Sequence, residues 1–137
     1  MAPLHYIQVL HGAALKIARM QKVLGPQFAK KSLLKYRPED AHQSWGCCYP
    51  AAEALWHLWG KKVTGLVPCY LRYEVAPGVF TTHWFLRATD NPGFAVDPTF
   101  FQFSKKIKLD YRSGTPCGFL TKQPSKRAQQ IMKAMTA

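Results

Sequence analysis

Residues 45–60 read WGCCYPAAEALWHLWG, and this stretch forms the centre of the predicted fold. Over residues 50–59 the apolar side chains recur at the spacing that gives a helix one apolar face. Pro50 is tolerated there because the first turn of a helix has no hydrogen-bond partner to lose, and Gly60 is a typical residue after a helix end. The pattern predicts a helix over 50–59, preceded directly by two adjacent cysteines.

Three short strands are predicted after this helix. Side chains alternate in character along residues 67–75 and again along 80–87, as they do on the two faces of a strand. The pair Pro77-Gly78 between them is a strong turn signal. These two strands are expected to form an antiparallel hairpin, and a brief third strand over 93–97 is expected to pair next to it.

The N-terminal part of the chain is predicted to be helical. Residues 4–24 have amphipathic spacing, and Gly25-Pro26 stops that helix. Residues 27–36 form a second, short basic helix in this prediction. Residues 37–46 are a polar connector that leads to the cysteines.

The C-terminal part is predicted to hold a loop over 113–116 and a last helix over 125–135, with Ser125 as its N-cap. The whole order is N-terminal helices, a helix that begins with cysteine, a small antiparallel sheet and a C-terminal helix, which is an α+β layout. A length of 137 residues suits one domain. That domain divides into a basic helical segment over 1–37, a core over 45–103 and a basic segment over 104–137.

The net charge of +12 is concentrated at the two ends of the sequence. Residues 1–37 hold seven Lys or Arg and no acid, and residues 105–137 hold eight against one acid, whereas residues 38–104 hold four against six. Basic flanks of this kind are either a solvated face or a contact surface for an anionic partner such as nucleic acid. The sequence leaves both interpretations open.

Nothing in the sequence predicts a membrane protein or a disulfide scaffold. No apolar run reaches the ~18 residues that a bilayer span needs, and residues 1–21 lack the pattern of a signal peptide. Four cysteines are too few for a disulfide framework at this length. Free thiols in a reducing compartment are therefore expected, and the predicted location is cytoplasmic, with no membrane partner.

A possible catalytic set is spread over the helix and the strands. Cys48 precedes the predicted helix, where the dipole and unpaired backbone N–H groups stabilise the reactive thiolate. His83 lies within an otherwise apolar strand and needs a polar partner there. Asp97 closes the next strand, from which a carboxylate can reach a neighbouring histidine and set its tautomer.

These residues resemble the transglutaminase-like superfamily, whose members share a papain-like catalytic core. The resemblance rests on Trp45-Gly46-Cys47-Cys48-Tyr49, then His83-Trp84, then Asp97-Pro98-Thr99. A Gly-x-Cys-Tyr stretch with a Phe-Leu-Thr-Lys ending is also similar to short uncharacterised bacteriophage proteins, which would place the protein in the host cytoplasm.

The resemblance implies roles for particular side chains. Cys48 stands where the family has its nucleophile, and Cys47 is the alternative. His83 would act as the base and Asp97 would orient it. Gln43 is a candidate oxyanion donor, with Trp45 as a competing lining residue and Trp84 as a further substrate-binding residue.

The implied function is a thiol-dependent acyl transfer with no cofactor. The thioester on cysteine would be released by water, as in hydrolysis of an amide, peptide or isopeptide bond or deamidation of glutamine, or by another acceptor, as in an acyltransferase with an anionic donor. A protein or peptide substrate is expected. The remaining alternative is a nucleic-acid-binding module on an inactive papain-like core. No metal is expected, because adjacent cysteines chelate one tetrahedral ion poorly and no Cys-x-x-Cys motif exists.

Overall fold

The computed structural model describes residues 6–102 and 109–136. Within these residues the protein has four α-helices and one four-stranded antiparallel sheet, so the predicted α+β class is confirmed. The first residues of the predicted helix over 4–24 lie outside the described residues, as do the parts of the predicted core and C-terminal basic segment that fall on 103–108 and 137.

The N-terminal helix α1 spans Tyr6–Val23, close to the predicted range. The predicted helix over 27–36 is wrong as a single element: it consists of a 3-10 turn at Pro26–Phe28 and the one-turn helix α2 at Lys31–Leu34. The two pieces are separated because Ala29 and Lys30 have extended backbones, and the Lys30 N–H donates to Gly46 O at 3.0 Å. A tertiary hydrogen bond thus takes the donor that a continuous helix would use.

Helix α3 spans Cys48–Leu58, two residues earlier at its start than predicted. Its first intrahelical bond runs from Ala51 N to Cys47 O at 3.0 Å, which places Pro50 in the first turn, where its missing N–H costs nothing. Cys48 is therefore the first residue of the helix itself. The helix ends at Leu58, and Trp59 is its C-cap, whose N–H donates to Leu55 O.

Strands β1 (Leu66–Ala76) and β2 (Val79–Ala88) form the predicted antiparallel hairpin. Their turn contains Gly78, whose φ of 71° is in the left-handed region that favours glycine. The short strand β3 (Ala95–Val96) pairs antiparallel with β2, as predicted, with Val96 opposite Leu86.

A fourth strand, β4 (Thr115–Pro116), lies where the sequence predicted a loop, and it completes the order β3-β2-β1-β4. It pairs with Cys69 and Tyr70 of β1, and Cys117 N donates to Pro68 O at 3.0 Å. A two-residue edge strand that contains proline leaves no alternation to detect, and proline is tolerated there because an edge strand need not donate.

Helix α4 (Lys126–Thr136) packs against α1 and α3, and α3 packs against β2 of the sheet. The predicted cap at Ser125 is present, since Ala128 N donates to its Oγ at 3.3 Å. The main core joins these helices to Leu66 and Leu86 of the sheet, and a smaller cluster around Cys69, Leu71 and Phe85 forms a second core. No helix within the described residues has both the length and the apolar character needed to cross a bilayer.

Candidate active site

Cys48 begins α3, where the helix dipole is positive. Its side chain is 7% exposed, and its thiol donates to Thr82 O at 3.7 Å. Helix hydrogen bonding starts at Ala51, and Pro50 has no N–H, so the backbone N–H groups of Cys48 and Tyr49 are not used by the helix. The N-terminus of α3 thus leaves two amide donors, on Cys48 and on the next residue, that the helix does not use.

His83 lies on β2, is fully buried, and connects the thiol to an acid. Its Nε2 lies 2.6 Å from Asp97 Oδ2, and Cys48 lies close enough to the same ring to favour its charged form. The structure thus brings the three predicted residues together in the order thiol, imidazole, carboxylate.

The charge state of His83 follows from these neighbours. Burial alone lowers the pKa of a histidine, because it disfavours the charged ring. The charge and hydrogen bond of Asp97, together with the nearby Cys48, outweigh burial and raise the pKa of His83 to about 10. An imidazolium is therefore the favoured form of this ring at neutral pH.

Asp97 directly follows β3 and is held by several donors. Its Oδ2 accepts from His83 and from the Tyr111 hydroxyl, each at 2.6 Å, and its Oδ1 accepts from Thr99 N at 3.0 Å and Thr99 Oγ1 at 3.4 Å. Burial, together with the charge and hydrogen bond of Asp97, raises the pKa of Tyr111, so this hydroxyl stays a donor. The carboxylate is therefore fixed in position and aimed at the imidazole.

A hydrogen-bond chain connects this acid to the segment before Cys48. Gln102 Nε2 donates to Thr99 Oγ1 at 2.7 Å, and Gly46 N donates to Gln102 Oε1 at 2.9 Å. Gly46 has a φ of 82°, and a Cβ there would meet the Ala29 side chain at 3.2 Å, so only glycine fits the site without strain. Gln102 thus joins the turn after β3 to the entry of α3.

Cys47, the alternative nucleophile, has a different environment. It is fully buried, and its thiol donates to Gly25 O at 3.4 Å. Burial, and next the charge of Cys48, raise the pKa of Cys47 to about 12. These features are those of a structural thiol, whereas Cys48 faces a cleft.

The cleft in front of Cys48 has a volume of about 260 Å³. Tyr49 and Trp84 form one aromatic wall, with ring centroids 5.0 Å apart in an edge-to-face arrangement, and Phe119 packs on both of them. Lys30 and Arg127 also line the cleft. The predicted substrate-binding residue Trp84 therefore does face the space next to the thiol.

Two other predicted site residues lie elsewhere. Gln43 is exposed, lies outside the cleft lining, and its Nε2 donates to Gln21 O at 3.3 Å. Trp45 is 1% exposed, donates to Leu33 O at 2.7 Å and packs with Val75 in a core cluster. The sequence could place both near Cys48 but not aim their side chains, which here serve the fold rather than the cleft.

Glu53 has a role that sequence reasoning missed. A glutamate on a helix is expected at the surface, but Glu53 is fully buried. Its Oε2 accepts from Ser125 N at 2.9 Å and its Oε1 from Ser125 Oγ at 2.5 Å. This pair of hydrogen bonds fixes the start of α4 against α3. In the sequence, the only hint of this role is an acidic residue within an otherwise apolar stretch of the helix that begins at Cys48.

Gln102 and Tyr111 were also missed. They lie 56 and 14 residues from their partners Gly46 and Asp97, and neither belongs to a motif. The described residues hold no group of three or more His, Cys, Asp or Glu side chains arranged for a metal ion.

Comparisons with protein-family profiles, with curated proteins and with solved structures find no match for this chain. The interpretation of the site is therefore built on the geometry of its residues and on general chemistry.

Proposed function

We propose that this protein is a thiol-dependent acyl-transfer enzyme with a papain-like or transglutaminase-like catalytic core. It hydrolyses an amide, peptide or isopeptide bond, or deamidates glutamine. Cys48 is the nucleophile, His83 the general acid and base, and Asp97 the group that orients His83. The free state of all four cysteines supports a reducing compartment such as the cytoplasm.

The observation that carries this proposal is the setting of His83. A buried imidazole with a carboxylate 2.6 Å from one nitrogen and a cysteine close to the same ring is the arrangement that activates a cysteine. A purely structural histidine would need the carboxylate alone. The thiol in addition lies at a helix start and faces a cleft.

In the first half-reaction the Cys48 sulfur attacks the carbonyl carbon, and a C–S bond forms. The oxyanion receives hydrogen bonds from the Cys48 and Tyr49 N–H groups. As the C–N bond breaks, the His83 imidazolium gives its proton to the leaving amine. A thioester on Cys48 and a neutral His83 remain.

In the second half-reaction His83 takes a proton from water, whose oxygen attacks the thioester carbon. The C–S bond then breaks, the carboxylic acid leaves, and the thiolate–imidazolium pair is restored. An amine in place of water would give acyl transfer from the same thioester. That alternative differs only in the acceptor.

Acyl-enzyme formation tests the proposal. With p-nitrophenyl acetate, we expect one acetyl group on Cys48, found by intact mass and peptide mapping and removed by neutral hydroxylamine, which spares acetyl-lysine. Cys48→Ser should abolish this thioester, and Cys47→Ser, the matched control, should retain it. A thioester on Cys47 alone, or none on any cysteine, would contradict the assignment.

A further inference from the structure

Two cationic side chains line the cleft of the nucleophile. Lys30 lies before α2 and Arg127 in the first turn of α4, so the two come from opposite ends of the sequence. Both are exposed, and Cys48 lines the same cleft of about 260 Å³. A ligand that acylates Cys48 therefore enters beside two positive charges.

The backbone of each cation is fixed relative to the nucleophile. Lys30 N donates to Gly46 O at 3.0 Å, two residues before Cys48. The start of α4 is fixed by the two hydrogen bonds between Ser125 and the buried Glu53 of α3. The charge of Arg127 also reaches the neighbouring thiol, since it acts to lower the pKa of Cys47 against the dominant effect of burial.

No acidic side chain among the described residues lines this cleft. Ser125 does line the cleft, and the buried carboxylate of Glu53 already accepts from it with both oxygens. The two cations are therefore available to a ligand in solution. Arginine in particular suits a carboxylate, which it can bind with two parallel hydrogen bonds.

We propose that Lys30 and Arg127 select acyl donors that carry a carboxylate beside the reacting carbonyl, as in a peptide with an acidic residue at the cleaved position. This inference rests on the proposed function, because it names the substrate class of the same site. The cleft is smaller than the ~300–1,000 Å³ typical of drug-sized ligands, so it suits a group of one or two residues. Tyr49 and Trp84 would pack against the methylene part of that side chain.

Iodoacetate and iodoacetamide test the inference directly, because they alkylate thiols by the same chemistry and differ in charge. The measured quantity is the ratio of the two rate constants at Cys48, followed by peptide mass spectrometry at neutral pH. Exposed Cys117 serves as the internal reference. Because both rate constants are measured on the same variant, a general change in the reactivity of the Cys48 thiol affects both equally and leaves their ratio unchanged.

We expect the iodoacetate preference at Cys48 to exceed that at Cys117 by about tenfold at low salt, and to fall by about fivefold in Lys30→Gln or Arg127→Gln. Arg127→Lys, which keeps the charge, should retain most of the preference. The control Lys126→Gln removes an exposed neighbouring cation that does not line the cleft, and it should leave the ratio unchanged. Since His83 is present in all four variants, the change reports on Lys30 or Arg127.

The possible failures are distinguishable. If iodoacetamide labels Cys48 faster than Cys117 but the ratio is the same at both sites and in all variants, the anionic preference is wrong and the proposed function stands. If iodoacetamide labels Cys48 no faster than Cys117, the proposed function fails and the inference falls with it.

Discussion

At the scale of single residues, Asp97 accepts hydrogen bonds with both of its oxygens and favours the charged form of His83. Asp97→Asn keeps the volume but removes the charge, and it allows the wrong tautomer of the ring. We expect thioester formation from p-nitrophenyl acetate to fall by about 10²–10⁴-fold, as for comparable orienting acids.

Tyr111→Phe is the control for this substitution, because it removes one donor to Asp97 and keeps the charge. Its rate of thioester formation should fall by about tenfold or less, in line with one lost hydrogen bond. Both variants are to be compared after circular dichroism has shown that they are folded. A folded Asp97→Asn protein with the wild-type rate would exclude Asp97 from the mechanism.

The pH dependence of stability provides a second prediction at this scale. The pKa of His83 is about 10 in the folded protein against an ordinary value of 6.5, so folding favours its protonated form. The resulting stabilisation is fully present below pH 6.5 and is lost as the pH rises through about 10. His83→Gln should remove this dependence.

The measurement is the free energy of unfolding in urea, with reductant, for the wild type and His83→Gln. We expect the difference between the two proteins to be largest near pH 6 and to shrink steadily toward about pH 10.5. A difference that stays constant over this range would show that His83 does not carry the proton in the folded state.

At the scale of elements, Gln102 connects the turn after β3 to the entry of α3. Gln102→Leu would leave Gly46 N and the Thr99 hydroxyl without this buried partner, at a cost of roughly 1–3 kcal/mol each in the free energy of unfolding. Thioester formation should also slow, because the two elements that hold Cys48 and Asp97 would no longer be fixed to each other.

Gln129→Leu is the matched control, since Gln129 is exposed and its amide donates to Pro124 O at the surface. That variant should change the free energy of unfolding by no more than about 0.5 kcal/mol. Urea unfolding and the acylation rate are measured on both. Equal effects of the two substitutions would refute a positioning role for Gln102.

The elements differ in how well the sequence predicts them. The turn at Gly78, the alternation on both sides of it and the stop at Gly25 are local signals, and the corresponding elements were found. The short strand at Thr115–Pro116 and the break at Lys30 depend on hydrogen bonds to distant backbone, to Cys69 and Tyr70 of β1 and to Gly46. No local pattern reports such bonds.

The same distinction applies to the site. The proximity of Cys48, His83 and Asp97 could be predicted, because their order and their elements carry information. Gln102 and Arg127 could not be identified, since each meets the site only through tertiary packing. Gln43 shows the converse, because its nearness in sequence to Cys48 does not bring its side chain into the cleft.

At the scale of the whole molecule, the question is whether the cations behind the net charge of +12 bind a partner or only face solvent. Arg127 and Lys30 belong to the cleft, whereas Lys126, Lys22 and Arg19 are exposed and do not line it. We expect these exposed cations to be a solvated surface. Binding of a single-stranded oligonucleotide, followed by fluorescence anisotropy in Cys48→Ser, should therefore be weak and unaffected by Lys126→Glu.

Nucleic acid remains the alternative partner, and salt dependence is its signature, since each neutralised phosphate releases a counterion. Tight binding in Cys48→Ser that weakens steeply with salt, and weakens further in Lys126→Glu, would contradict the solvated-surface interpretation. The nucleic-acid-binding module would then become the leading account of the molecule.

The activation of Cys48 is the central claim, and the rate of iodoacetamide labelling at neutral pH tests it most directly. Cys48 is 7% exposed and Cys117 is exposed, so access alone makes Cys117 the faster site. If His83 holds Cys48 as a thiolate, Cys48 should instead react about tenfold faster or more. His83→Gln should abolish this advantage, and Cys47→Ser should not. The account would be contradicted if Cys117 in the wild type reacts faster than Cys48 and if His83→Gln leaves the labelling rate of Cys48 unchanged.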